Sequence, residues 1–129
     1  MKKLNTILLV DDDVDDQEVF CEVLKEINSS IECITAADCE EVLTILQNNL
    51  PGLPDYIFLD LNMPKMNGKQ CLEALKEHEV FKNIPVIIYS TSSSIRDKNE
   101  TDDLGAAYFL TKPNSISGLK KEIELAISM

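Results

Sequence analysis

Five short apolar runs recur along the chain: Ile7–Val10 (ILLV), Ile31–Thr35 (IECIT), Tyr56–Asp60 (YIFLD), Val86–Ser90 (VIIYS) and Ala107–Thr111 (AYFLT). Their hydrophobicity is nearly unbroken rather than alternating, which predicts strands covered on both faces, as in parallel sheets. Between the runs, apolar residues follow a helical period of 3.6. One face carries Phe20, Val23, Leu24 and Ile27, and a second carries Val42, Ile45 and Leu46. Cys71, Leu72 and Leu75 make a third face, and Ile116, Leu119, Ile123 and Ile127 the last. Asp38 followed by Glu41 resembles a capping box, and Asn67 before Gly68 reads as an N-cap. The segment 92–104, SSSIRDKNETDDL, fits least well, because only Ile95 and Leu104 offer strong core contacts. Asp102 and Asp103 would face the negative end of a helix there, at a cost of about 0.3 kcal/mol or more each. It reads as a helix that is weakly anchored and therefore movable. Five βα units filling residues 1–129 predict one doubly wound α/β domain, with right-handed crossovers placing helices on both faces.

Charge narrows the classes of function. Acids outnumber bases 23 to 12 and the net charge is −11, with no basic stripe. Such a surface repels phosphate backbones and anionic membranes, so neither nucleic acid nor membrane is an expected partner. Basic proteins, small ligands and metal cations stay open. MKKLNTILLVDDD reaches acids after only four apolar residues, unlike a secretory leader. No apolar run approaches the roughly 18 residues of a membrane span. Cys21, Cys33, Cys39 and Cys71 form no C-x-x-C pair, which predicts reduced, packed thiols in a cytoplasmic protein. The single His78 has no cysteine nearby, so a zinc site is not expected.

The candidate chemistry lies where the apolar runs end. ILLVDDDVDD places five acids in six positions after the first run. In a doubly wound sheet, ligands bind beyond the carboxyl ends of the strands, where strand order reverses. The first run delivers Asp11, Asp12 and Asp13; the third delivers Asp60; the fourth, Ser90 and Thr91; the fifth, Lys112 and then Pro113. If the first and third strands are neighbours, acids from both meet in one crevice beside a hydroxyl and an ammonium. Two carboxylates about 4 Å apart repel by about 1 kcal/mol in water, and by about 4 at an effective dielectric near 20. A divalent cation removes that strain, and all-oxygen ligands favour a hard ion such as Mg²⁺.

The set LLVDDD, FLDLNMPKMNG, YSTSS and FLTKP, in this order over essentially the whole chain, resembles the receiver domain of two-component response regulators. The resemblance implies a flavodoxin/CheY-like (βα)5 fold with a five-stranded parallel sheet of strand order 2-1-3-4-5. It implies a stand-alone receiver that works as a signalling switch rather than a turnover enzyme. Asp60 becomes the phosphoacceptor; Asp12, with Asp11 beside it and the backbone carbonyl of Asn62, would hold Mg²⁺ together with Asp60. Lys112 and the Ser90 hydroxyl would neutralise phosphoryl oxygens, and Ser90 and Phe109 would form the switch pair. The Lys112–Pro113 bond is cis by the same resemblance. A histidine kinase or histidine phosphotransfer protein would donate the phosphoryl group. A downstream protein would read the face of the fourth helix, fifth strand and fifth helix. The chain would be a monomer or a weak phosphorylation-dependent dimer. Ser90 and Phe109 stand where the family usually has Thr and often Tyr, which predicts looser coupling between phosphorylation and conformation.

Other readings weigh less. Asp15 and Asp16 suit a solvated helix start, where acids complement the dipole, and Asp13 reads as a surface acid. Asp11 and Asp13 also read as D-x-D-V, which would make them nucleophile and acid of a haloacid-dehalogenase-like phosphatase; that class needs a late acid pair after its lysine, and KPNSISGLKKEIE supplies none soon enough. A flavodoxin-type phosphate loop needs Ser, Thr and Gly where this chain has five acids.

Overall fold

Ten elements alternate strictly between strand and helix: β1 (Thr6–Val10), α1 (Val14–Ile27), β2 (Glu32–Ala36), α2 (Cys39–Gln47), β3 (Tyr56–Leu59), α3 (Gly68–Glu77), β4 (Val86–Ser90), α4 (Ile95–Asp103), β5 (Tyr108–Thr111) and α5 (Ile116–Ile127). The structure is a computed structural model that describes residues 5–48, 52–63 and 65–128. Pro64 of the FLDLNMPKMNG motif lies outside the described residues. The five strands form one parallel sheet of order β2-β1-β3-β4-β5. The expected doubly wound α/β fold and its strand order are both present.

Alternation along each strand explains the unbroken apolar runs. Leu8 and Val10, Ile57 and Leu59, and Val86 and Ile88 enter the core beneath α2 and α3. Ile7 and Leu9, Phe58, and Ile87 and Tyr89 enter the opposite core with Phe20, Val23 and Leu24 of α1 and Leu119 and Ile123 of α5. Both faces are buried, so neither set of alternate positions can be polar. The helix starts are capped locally. Asn67 and Gln70 form a capping box at α3, while Asp38 accepts from the Glu41 N–H at α2. Glu41 in turn accepts from Ala37, one residue before the cap, so the box predicted there is shifted by one position.

Four expectations need correction. Ile95 and Ile116 are exposed, at 75% and 61%, because each opens its helix on the solvent side. α4 instead buries Thr101, whose hydroxyl bonds back to the Asp97 carbonyl. The cysteines are paired as Cys21–Cys33 and Cys39–Cys71, each with Cα atoms 5.7 Å apart, a separation that suits a disulfide. They lie 12 and 32 residues apart in sequence, so only the packing of α1 on β2 and α2 on α3 reveals them. No cis peptide occurs among the described residues, so Lys112–Pro113 is trans, the form favoured in X–Pro bonds by about 0.5–1 kcal/mol.

Two glycines are required by geometry. Gly105 has φ +101 and closes α4: its N–H donates to Asp102 and the Ala106 N–H donates to Thr101. This Schellman arrangement satisfies carbonyls that the acidic last turn would otherwise leave open. Gly68 opens α3 directly under β3, and a Cβ there would lie 2.3 Å from the Asp60 carbonyl oxygen and 2.6 Å from Leu61 Cα. Both contacts are backbone, so the strand end itself would have to move. Gly68→Ala should therefore destabilise the fold by about 1–3 kcal/mol in a denaturation experiment, and a loss below that range would show that the loop after β3 yields freely.

Candidate functional site

Register brings the strand-end residues together. Val10 pairs with Leu59 across β1 and β3, so Asp11 and Asp60 emerge side by side from the carboxyl edge. The Asp60 N–H donates to the Val10 carbonyl at 3.0 Å and fixes that alignment. Ser90 pairs with Thr111, and the Lys112 N–H donates to the Ser90 carbonyl at 2.7 Å. The first residue after β5 is thereby held against the last residue of β4.

The side chains converge from these positions. One carboxylate oxygen each of Asp11, Asp12 and Asp60 lies within 4.8 Å of the others. Asp11 is fully buried, Asp60 is 6% exposed and Asp12 faces solvent. Lys112 Nζ lies 2.9 Å from Asp11 Oδ2, 3.2 Å from Asp16 Oδ2 and 3.6 Å from Asp60 Oδ2. The Asn62 N–H donates to Asp60 Oδ1 at 3.2 Å. Burial pushes the Asp60 carboxyl up to about 6. The Lys112 ammonium and the Asn62 N–H pull it down, and the charges of Asp11 and Asp12 add to the rise. Burial alone would lower the Lys112 pKa, but hydrogen bonds and charge from Asp11, Asp60 and Asp16 outweigh it and hold the value above that of an ordinary lysine. Three hard oxygen donors at this spacing, one of them penalised for being charged, fit a divalent cation.

The hydroxyl side of the site is equally ordered. Ser90 is fully buried, and its Oγ accepts from the Ser92 N–H at 3.1 Å. Ser92 Oγ donates to Asp97 Oδ2 at 2.6 Å, and Lys69 Nζ lies 2.7 Å from Asp97 Oδ1. Lys69 also pairs with Glu100, which pairs with Arg96. A polar chain thus runs from Ser90 through the loop after β4 into α4 and on to α3. Phe109 is half-buried against the α2/α3 core, with Lys98 Nζ 5.8 Å from its ring centroid.

Most expected site residues therefore meet: Asp11, Asp12 and Asp60 cluster, Lys112 reaches them, and Ser90 lines the next strand end. Asp13 does not join the cluster. It caps α1, accepting from the N–H groups of Asp15 and Asp16, and this occupies the group that a D-x-D-V phosphatase would need free. Asp16, read from sequence as a solvated helix acid, belongs to the site through Lys112. Its place in the first turn of α1 was the available signal, since that turn rises beside the strand ends. Gln17 Nε2 donating to the Asp11 carbonyl, and Lys69 tying α3 to α4, also escaped the sequence reading.

A parallel five-stranded sheet of order 2-1-3-4-5, carrying an acidic cluster and a lysine at its switch point, defines a CheY-like receiver. The chain matches the response regulator receiver domain over residues 7–124. It is 33% identical over 123 residues to response regulator Rcp1 of Synechocystis sp., covering 92% of this chain and 83% of that protein. The phosphorylated cyanobacterial phytochrome response regulator RcpA superposes with a TM-score of 0.85 at 30% identity, covering 96% of this chain and 91% of the other. The Mn²⁺-bound form of Rcp1 gives 0.84 at 32% identity, covering 97% and 93%. The chain belongs to the response regulator receiver domain family.

Two outcomes follow from this geometry. A carboxyl raised from 3.8 to about 6 in the folded state contributes stability below pH 4 that is lost as pH rises through about 6. In metal-free protein, Asp60→Asn should stabilise by up to about 3 kcal/mol at pH 8 and by little at pH 4; equal effects in denaturation at both pH values would refute the burial penalty. Lys69→Met should speed amide exchange in α4 while leaving the central strands protected, because ion pairs rather than apolar contacts tie α4 to α3. Unchanged exchange in α4 would show the ion pairs to be dispensable.

Proposed function

We propose that residues 1–129 form one receiver domain and a phosphoaccepting signalling switch, phosphorylated on Asp60 with Mg²⁺ as the cation. The observation that supports this most directly is the convergence of Asp11, Asp12 and Asp60 with the Lys112 ammonium 3.6 Å from Asp60 Oδ2. RcpA, which is phosphorylated, and Rcp1, which binds Mn²⁺, share this fold and lend the reading further support. Asp11, Asp12, Asp60 and the Asn62 backbone carbonyl would hold the cation. Bound there, it would supply positive charge that lets an anionic donor approach an anionic acceptor.

The remaining steps belong to the chain's own groups. Asp60 is the nucleophile: a carboxylate oxygen forms a bond to phosphorus while the bond from phosphorus to the donor's imidazole nitrogen breaks, and the imidazole leaves with the electron pair and takes up a proton. The donor is a histidine kinase or histidine phosphotransfer protein. Lys112, already charged and nearby, exchanges part of its pairing with Asp11 and Asp16 for a phosphoryl oxygen. The Ser90 hydroxyl donates to another oxygen. A shift of its position disturbs the Ser92 N–H that it now accepts, and with it the link through Asp97 to α4. Hydrogen bonds to charged groups contribute about 1.5–3 kcal/mol each. Those from Lys112 and Ser90 together approach the roughly 5.5 kcal/mol needed to move a two-state population from 1:99 to 99:1. Phe109 and α4 lie beside that movement, so the face of α4, β5 and α5 is the surface that a downstream protein reads. The chain is the acceptor in its own phosphorylation and not a turnover enzyme. Its lack of a basic stripe suits protein contacts, made as a monomer or a weak phosphorylation-dependent dimer, and the cytoplasm is the compartment proposed for them.

The test is mass spectrometry after incubation with a small acyl phosphate. Wild type should gain one phosphoryl group only when Mg²⁺ is present, and Asp60→Asn should gain none. A gain that persists in Asp60→Asn would move the acceptor elsewhere.

A further inference from the structure

We propose that Tyr89 is a positioning residue for Lys112, its ring holding the ammonium beside Asp60 while the ammonium changes anionic partners. This rests on the phosphoacceptor reading above. Tyr89 lies next to Ser90 at the end of β4 and points to the α1/α5 side of the sheet. Its ring is 4% exposed and is held edge-on by Phe20, at 5.4 Å between centroids, and by Phe58, at 6.5 Å. Lys112 Nζ lies over this ring, 4.7 Å from its centroid.

The geometry answers a problem that the carboxylates leave open. Lys112 pairs with Asp11 and Asp16 now, and has to turn toward a phosphoryl oxygen on Asp60 later. A carboxylate that holds it tightly also competes with that oxygen. An aromatic face attracts a cation without offering a localised negative charge, and the attraction depends weakly on the direction of the N–H bonds. The ring therefore limits where the flexible lysine stem can swing without selecting one anion over another. Burial raises the Tyr89 phenol to about 12, so the ring stays neutral through the working pH range. The bland alternative is that Tyr89 only fills the core, as Phe20 and Phe58 do. The two roles separate because filling the core needs volume, whereas holding an ammonium needs a π face.

The experiment compares wild type, Tyr89→Phe, Tyr89→Leu and the core control Phe20→Leu, with Tyr89→Met standing in if the leucine variant does not fold. Two readouts are taken: the NMR shift of the Lys112 ε-methylene protons in unphosphorylated protein, and the rate of Mg²⁺-dependent phosphorylation by a small acyl phosphate. Wild type and Tyr89→Phe should show the same upfield ring-current shift and similar rates. Tyr89→Leu or Tyr89→Met should lose the shift and slow phosphorylation by about 2- to 30-fold. Phe20→Leu should keep the shift and most of the rate despite a lower melting temperature. A Lys112 resonance without ring-current shift in wild type, or equal slowing by Phe20→Leu and Tyr89→Leu, would overturn the proposal. If wild type accepts no phosphoryl group yet shows the shift, the phosphoacceptor reading has failed and the positioning role falls with it, while the contact itself stands.

Discussion

The structure depends on carboxylates being forced together. β1 and β3 are parallel neighbours in a register that places Val10 against Leu59, and the chain then turns acidic at both strand ends. Asp11 and Asp60 thus leave the sheet side by side, with Asp12 close enough for all three to share one ligand position. Negative groups at this spacing repel by roughly 1–4 kcal/mol per pair, depending on the dielectric. The fold tolerates the repulsion because Lys112 arrives from β5 and because Asp60 gives up part of its acidity. The repulsion that remains is what makes a cation able to change the site.

That compensation is asymmetric, and the asymmetry suits a switch. Lys112 lies closest to Asp11 and Asp16 and farther from Asp60. Asp60 is therefore influenced by the ammonium without being sealed by it. Ser90 is similarly engaged but not locked, since its hydroxyl oxygen accepts one backbone N–H from the loop after β4. Beyond that loop, α4 presents little apolar surface and is held by Lys69, Asp97 and Glu100. Half-buried ion pairs that still reach solvent rearrange at lower cost than a buried apolar seam. The helix expected to be weakly anchored is thus anchored by charge, which permits movement without melting.

Residues whose roles arise from position in a strand were legible before any coordinates. Asp60 and Lys112 each follow an apolar run, and a buried parallel strand has one place for a polar group, just past its end. Asn67 was legible as a cap because helix starts are local, whereas Gln70, which completes its box, was not read. Residues whose roles arise from helix packing were not. Asp16 reads like Asp15 in sequence, and only the rotation of α1 turns it toward Lys112. Lys69 meets partners 28 and 31 residues away, and the cysteine pairs depend on helices lying against their neighbours. Ile95 and Ile116 misled for a related reason: an apolar residue at a helix start fits the period yet can point outward.

The amino-acid sequence by itself determined that five strands buried on both faces alternate with helices, and that acids, a hydroxyl and a lysine lie at their ends. Hydrophobic periodicity and chain polarity are sufficient for this, because both are local properties of the chain. The tertiary structure decided which strand ends are neighbours at what separation, which acids share Lys112, and which ring lies beneath its ammonium. Those are consequences of sheet register and helix rotation, set by the packing of both cores at once, and no single segment of the chain contains them.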